Sequence, residues 1–309
     1  MENKRNRTEC KKKLYDRAEI GTIRKNLHGR IRVALVYPNT YHVGMSNLGF
    51  QSVYYLLNAI DNLVCERFFL PNNRIGNITS IESGSPLTNF HVVAFSISFE
   101  NDYLNTLSIF ESTGIPMLSD ARGDSHPLVI AGGIACILNP EPIASFIDCF
   151  LLGDAQQLVE NFFAIYDPHS SKDAILKKIV SNVHGVYVPS FYNVSYNGDN
   201  TIKSFIPKSF APETIRHSIS KDKTLNPAFS AIITPDTTFA DTFLIEVTKG
   251  CPHGCRFCSA GFIYRPPRFC SYSLVENLIK NIPEKKETHF KQNKIEQKTK
   301  FRIKTNNNI

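Results

Sequence analysis

Three cysteines fall within eight residues, in the order Cys251-Pro-His-Gly-Cys255-Arg-Phe-Cys258. Thiolates are soft ligands for iron and zinc. Three of them on one short, glycine-containing loop can converge on three irons of a cubane, leaving the fourth iron free to take a substrate. A 4Fe-4S cluster held by Cys251, Cys255 and Cys258 is therefore the chemistry this spacing suggests. Zinc is the other reading, because a structural zinc takes four ligands and His253 or Cys270 could add the fourth. Zinc modules usually bring cysteines as two separated C-x2-C pairs, however, and C-x3-C-x2-C is a different spacing. Pro252, His253, Gly254 and Arg256 make the loop polar, which argues against buried core cysteines. His253 and Arg256 read as loop residues rather than catalytic groups.

The elements that must position this loop begin with residues 242–248 (TFLIEVT), which read as a strand running into Lys249-Gly250. Residues 273–279 (SLVENLI) read as the helix that follows, with Ser273 and Glu276 spaced as a capping box. Upstream, apolar runs alternate with helical patterns. Residues 31–37, 64–70, 91–99, 128–134 and 149–152 are strand candidates, the first ending at Pro38, and residues 48–60, 101–112 and 155–166 have helical spacing. Strand runs without polar alternation, separated by helices, imply a parallel sheet covered on both faces. The fold class expected is α/β, a Rossmann-like or flavodoxin-like doubly wound sheet.

Ligands of such sheets bind beyond the carboxyl ends of the strands. Three loops fall there: residues 38–49, the Gly132-Gly133 turn, and Gly153-Asp154. Gly132 and Gly133 are candidate cofactor-binding positions because glycine lets backbone amides approach a ligand, although tight turns use glycine equally well. The dinucleotide fingerprint G-x-G-x-x-G is absent, so a nicotinamide dehydrogenase has no support. Residues 183–207 read as a β-hairpin turning at Asn197-Gly198-Asp199-Asn200, and residues 208–236 read as a linker.

The chain of 309 residues carries a net charge of +7, and that charge sits at its two ends. Residues 1–13 sum to +4 and residues 284–309 to +5, which leaves the body at −2. Solvated basic tails account for this pattern better than a nucleic-acid arm does, which leaves nucleic acid as the lesser reading for a partner. The first residues are charged and lack a secretory signal, and no apolar window approaches the ~20 residues that cross a bilayer. A cytoplasmic protein with no membrane partner follows. The eight cysteines in a chain of this size and setting argue for a metal site in a reducing compartment rather than for disulfides.

The stretch EVTKGCPHGCRFCSAGFIYRPPR closely resembles the cluster loop of radical SAM enzymes, down to the aromatic Phe257 before the last cysteine. YPNTYHVGMSNLG, IAGGIACILNPEP, LLGD and GVYVPSFY resemble segments of the cobalamin-binding-like domain that precedes the radical SAM core in one large bacterial family. The resemblance runs from about Gly29 to Ile279. It implies a (β/α) barrel with the cluster after its first strand, and S-adenosylmethionine on the open iron beside Phe257. It also implies reductive cleavage to a 5′-deoxyadenosyl radical. An unknown substrate and an electron donor such as flavodoxin or ferredoxin are the implied partners.

The sequence departs from the pattern twice. Cobalamin domains that place a histidine below cobalt use D-x-H-x-x-G, whereas the loop here reads Thr40-Tyr41-His42-Val43-Gly44. Thr40 cannot be the carboxylate that a ligating histidine leans on, so cobalamin is not expected. From residue 239 there are 71 residues, against ~250 for a full eightfold barrel. The expected organisation is a basic extension (1–29), a cobalamin-binding-like Rossmann domain (30–168), and a hairpin and linker (169–238). A truncated radical SAM core (239–283) and a basic disordered tail (284–309) complete it. The competing expectation is a catalytically inactive binding module with a vestigial cluster loop.

Overall fold

The computed structural model describes residues 19–72, 77–220 and 226–282. The basic stretches 1–13 and 284–309 lie outside these. The first half alternates strands and helices: β1 (Ile31–Thr40), α1 (Tyr41–Met45), α2 (Leu48–Ala59), β2 (Leu63–Leu70), β3 (Val92–Ser96) and α3 (Asp102–Thr113). Then come β4 (Leu128–Gly132), α4 (Ile134–Leu138), β5 (Cys149–Leu151), α5 (Ala155–Ile165), α6 (Lys172–Asn182) and β6 (Val186–Tyr187). The six strands form one sheet in the order β2-β1-β3-β4-β5-β6. All neighbours are parallel except β6, which is antiparallel to β5. Such an order buries the middle strands on both faces, and Val33, Leu35, Val92, Val93, Val129 and Phe150 lie at its centre, almost wholly out of water.

The chain leaves β1 toward β2 on one side and reaches β3, β4 and β5 on the other. Because parallel crossovers are right-handed, this reversal puts α2 and α3 on opposite faces. Contacts between α2 and α5 place α5 on the α2 face. The same reversal opens a crevice between the carboxyl ends of β1 and β3. Asn47 caps α2 by accepting from the Phe50 amide at 2.9 Å, and Gly114 ends α3 in the left-handed conformation that glycine tolerates.

Several local expectations change. β1 runs through Pro38 to Thr40, with a register shift against β2 between Tyr37 and Thr40 that accommodates a residue lacking an N–H. The stretch read as hairpin and linker also supplies α6 and β6 to the main fold. Three lysines mask the helical spacing of Ile175, Leu176 and Ile179, and a two-residue strand is too short to show a period. The hairpin itself is β7 (Tyr192–Tyr196) against β8 (Ile202–Pro207). Ala231, Ile232 and Ile233, within the stretch read as linker, are buried. The Ile233 and Ile20 backbones hydrogen-bond each other, and the Ile232 amide donates to Gln51.

After it come β9 (Thr248–Lys249), α7 (Ala260–Ile263), β10 (Arg268–Phe269) and α8 (Tyr272–Lys280). The strand expected over 242–248 is reduced to β9 and one bridge from Ile245 to Phe229, since β10 offers only two residues to pair with. Ser271, not Ser273, caps α8, accepting from the Leu274 amide. Glu276 pairs with Lys280 instead of completing a capping box. Among the described residues no helix is long and apolar enough to cross a membrane.

Arg67, on edge strand β2, is fully buried and meets Glu82 at 2.6 Å and Glu19 at 2.8 Å, with Tyr54 beneath its guanidinium. Burial alone would raise the Glu19 carboxyl, but Arg67 and hydrogen bonds from Thr22 and Tyr41 hold it below the usual range. Removing one partner of a buried ion pair strands the other and costs about 3–5 kcal/mol. We therefore expect Arg67→Ala to lower the urea midpoint of unfolding sharply, with the transition followed by circular dichroism. A loss under 1 kcal/mol would show that water reaches this network and that it does not hold the edge of the sheet.

Candidate metal centre

The cysteine loop is closed at its base by a small ladder. Arg268 of β10 pairs with Lys249 of β9, and Phe269 with Thr248, so residues 250–267 leave and return at one point. Gly250, at φ +93°, makes the first turn. A Cβ there would lie 2.3 Å from the Tyr264 carbonyl oxygen, so backbone packing demands the glycine. Within the loop the Cys258 amide donates to the Cys255 carbonyl, and α7 begins two residues after Cys258.

One carboxylate fastens this ladder to the sheet. Asp154, just past the end of β5, accepts from Arg268 Nη1 at 2.7 Å and from Nη2 at 3.1 Å. Lys249 Nζ stands 3.0 Å from its Oδ1, and the Ser220 amide donates to its Oδ2 at 2.9 Å. Burial works to raise the Asp154 carboxyl, yet these partners outweigh it, Arg268 foremost, and bring it down to about 2. Asp154 occupies the N-cap position of α5 and makes no side-chain cap there, its carboxylate being turned to the two cations instead. Asp154, Lys249 and Arg268 were not singled out from sequence. The signal was present, since they belong to LLGD, EVTKG and YRPPR, but nothing in those segments says that they meet.

The cysteines fall into two groups. Cys65, Cys136 and Cys149 are buried, and burial pushes their thiols up, that of Cys136 to about 12, so they remain protonated at neutral pH. Cys251 and Cys258 are half-buried and Cys255 is exposed, all three as free thiols. Cys270 lies beyond the loop, with Sγ 3.1 Å from the Glu246 carbonyl oxygen, and its thiol is raised by burial and by Glu246. Among the described residues no three histidine, cysteine, aspartate or glutamate side chains stand grouped as a metal site. What fits an iron–sulfur cluster is the donor chemistry: three undisulfided thiols on one anchored, water-facing loop. Phe257, between two of them, is 92% exposed.

The sheet contributes a cavity of about 430 Å³ on the α2 and α5 side of the carboxyl edge. Gly132 and Gly133 line it, and so do Glu246, Lys249 and Tyr264 from the segment flanking the cysteine loop. The structure thus brings the two candidate glycines to the same cavity as the base of the loop. Gly133 also has a backbone reason to be glycine: at φ +109° a Cβ would meet the Ile97 carbonyl oxygen at 2.2 Å. His42 lies outside this lining. Its Nδ1 is 3.1 Å from Asp236 Oδ1, so the carboxylate that Thr40 cannot be comes from a residue remote in sequence. Both side chains are about half exposed.

Residues 49–189 match the family described as radical SAM proteins, N-terminal. An uncharacterized protein of Methanocaldococcus jannaschii is 26% identical over 239 residues, which cover 77% of this chain and 43% of that protein. The chain therefore spans less than half the length of this relative. No solved structure matches. The family match falls on the sheet, from α2 to just past β6, and ends before the cysteine loop, and it supports a radical SAM protein.

Proposed function

We propose that this chain is a radical SAM protein whose Cys251, Cys255 and Cys258 hold a 4Fe-4S cluster that binds S-adenosylmethionine. The observation that carries the reading is the convergence of two separate signals on one anchored structure. The family match rests on the sheet, the C-x3-C-x2-C loop lies outside that match, and Asp154 joins the two. In this reading the parent fold is a flavodoxin-like doubly wound domain followed by a piece of a (β/α) radical SAM barrel. The cobalamin-like resemblance describes the domain's shape and assigns it no ligand.

With S-adenosylmethionine bound, such a cluster supplies reductive cleavage of the sulfonium to a 5′-deoxyadenosyl radical. The protein's own part is to place the thiols. The β9–β10 ladder fixes where the loop leaves and returns, and Asp154 holds both strands of that ladder to the end of β5. Lys249 lies over the Tyr264 ring at 5.3 Å, which packs the two ends of the loop together. Phe257, as the exposed aromatic between the last two cysteines, is assigned to cover bound S-adenosylmethionine, and Gly132 and Gly133 are assigned to cofactor binding. An electron donor such as a flavodoxin or ferredoxin is required to reduce the cluster.

Anaerobic reconstitution is expected to load about four irons per chain, read by iron and sulfide analysis and by electron paramagnetic resonance after dithionite. Alanine at Cys251, Cys255 or Cys258 should abolish the signal, while Cys10→Ala, Cys65→Ala and Cys270→Ala should retain it. Tight zinc uptake with no iron, lost on Cys270→Ala, would establish the zinc site instead.

The anchor makes a second expectation. Asp154→Asn keeps the side-chain shape but takes from Arg268 and Lys249 the carboxylate that both contact. Trypsin should then cut after Arg256 several-fold faster in the apoprotein, and reconstituted iron should fall, with far-UV circular dichroism unchanged. Equal cleavage rates and equal iron in the two proteins would rule out this role for Asp154.

A further inference from the structure

The cavity at the carboxyl edge is built for more than packing. Its walls are the α2 and α5 faces over the sheet, with Leu35, Val53, Phe95, Ile130, Leu158 and Phe163 among its apolar lining. Ligand pockets commonly run to ~300–1,000 Å³, and an apolar cavity of roughly 150 Å³ already takes up benzene. At about 430 Å³, and open to solvent, this one has room for a ligand of that size.

The polar groups at its mouth define what could enter. Asn47 and Ser98 hydrogen-bond each other at 2.9 Å, and Ser96 lies beside them. The only ionisable acid and base among the lining residues are Glu246 and Lys249, apart from the phenol of Tyr264. Lys249 is already 3.0 Å from Asp154. The start of α5, where an anion would ordinarily sit, carries the carboxylate of Asp154 instead. The cation of the lining and the start of α5 thus already face the same carboxylate, which leaves a strong anion less to gain there than a neutral molecule.

We infer that this cavity is a binding site for an uncharged small molecule with an aromatic or aliphatic body, inserted between α2 and α5 from the carboxyl edge. Asn47, Ser96 and Ser98 meet its polar end, and Glu246, Lys249 and Tyr264 form the wall shared with the base of the cysteine loop. The assignment stands apart from the cluster reading, since it requires no iron.

The test titrates the iron-free full chain with the neutral fluorophore N-phenyl-1-naphthylamine, and in parallel with the anionic 8-anilinonaphthalene-1-sulfonate. The neutral probe is expected to bind saturably at one per chain with blue-shifted emission, and at least tenfold more tightly than the sulfonate. Val53→Trp, which fills the cavity from α2, should weaken the neutral probe at least tenfold at unchanged far-UV circular dichroism. Ile137→Trp, filling it from the other side, serves if Val53→Trp does not fold. Cys255→Ala should bind the probe as the unaltered chain does, so a failure of the cluster reading leaves this result untouched. Non-saturable binding, tighter binding of the sulfonate, or equal affinity in a folded cavity-filling variant would overturn the site.

Discussion

A single carboxylate with two cations sets the geometry on which the rest of this structure depends. Asp154 lies just beyond β5, and it takes a bidentate guanidinium from Arg268 and an ammonium from Lys249, one on each strand of the ladder that closes the cysteine loop. Bidentate arginine–carboxylate pairs fix orientation as well as distance. The loop therefore has a defined base against the sheet, although among the described residues little beyond that base is buried: α8 buries no residue, and Phe257, Phe262 and Phe269 are largely exposed. The helix pays for this arrangement, since a capping residue worth about 1 kcal/mol is diverted from the start of α5.

A second buried ion site does the corresponding work on the opposite side of the sheet. Arg67 on β2 gathers Glu82 and Glu19, and the strap made by Ile20 and Ile233 runs beside it. Both sites join segments far apart in sequence, and both use arginine, whose planar fork satisfies two acceptors at once. Between them the sheet changes direction, and the cavity opens where α2 and α5 diverge from its carboxyl edge. Ladder base and cavity share Lys249, so the position of the loop and the shape of the cavity mouth are set by the same contact.

Burial divides the thiols by chemistry. Those inside the sheet are kept protonated by the cost of placing a thiolate in an apolar interior, and they serve as small core residues. Those on the loop are half-buried or exposed, where metal can reach them. The glycines divide less cleanly. Gly133 and Gly250 are each required by a backbone oxygen within 2.3 Å of where a Cβ would stand, whatever ligand is nearby.

The sequence alone determined the alternation of strands and longer helices through β5 and α5, apart from the one-turn helices α1 and α4, because each of the longer elements carries its own period in apolar residues. It also determined the donor set, because three cysteines within eight residues need no fold to be near one another along the chain. Only the tertiary structure decided what lies beside that loop. Asp154 reaches Arg268 across more than a hundred residues, and Asp236 reaches His42 across nearly two hundred. Neither pairing leaves a local pattern, since an ion pair has no period and its partners need share no spacing. The same holds for β6 and for the buried stretch 231–233. Each is short, and each owes its conformation to a partner from elsewhere rather than to its own residues.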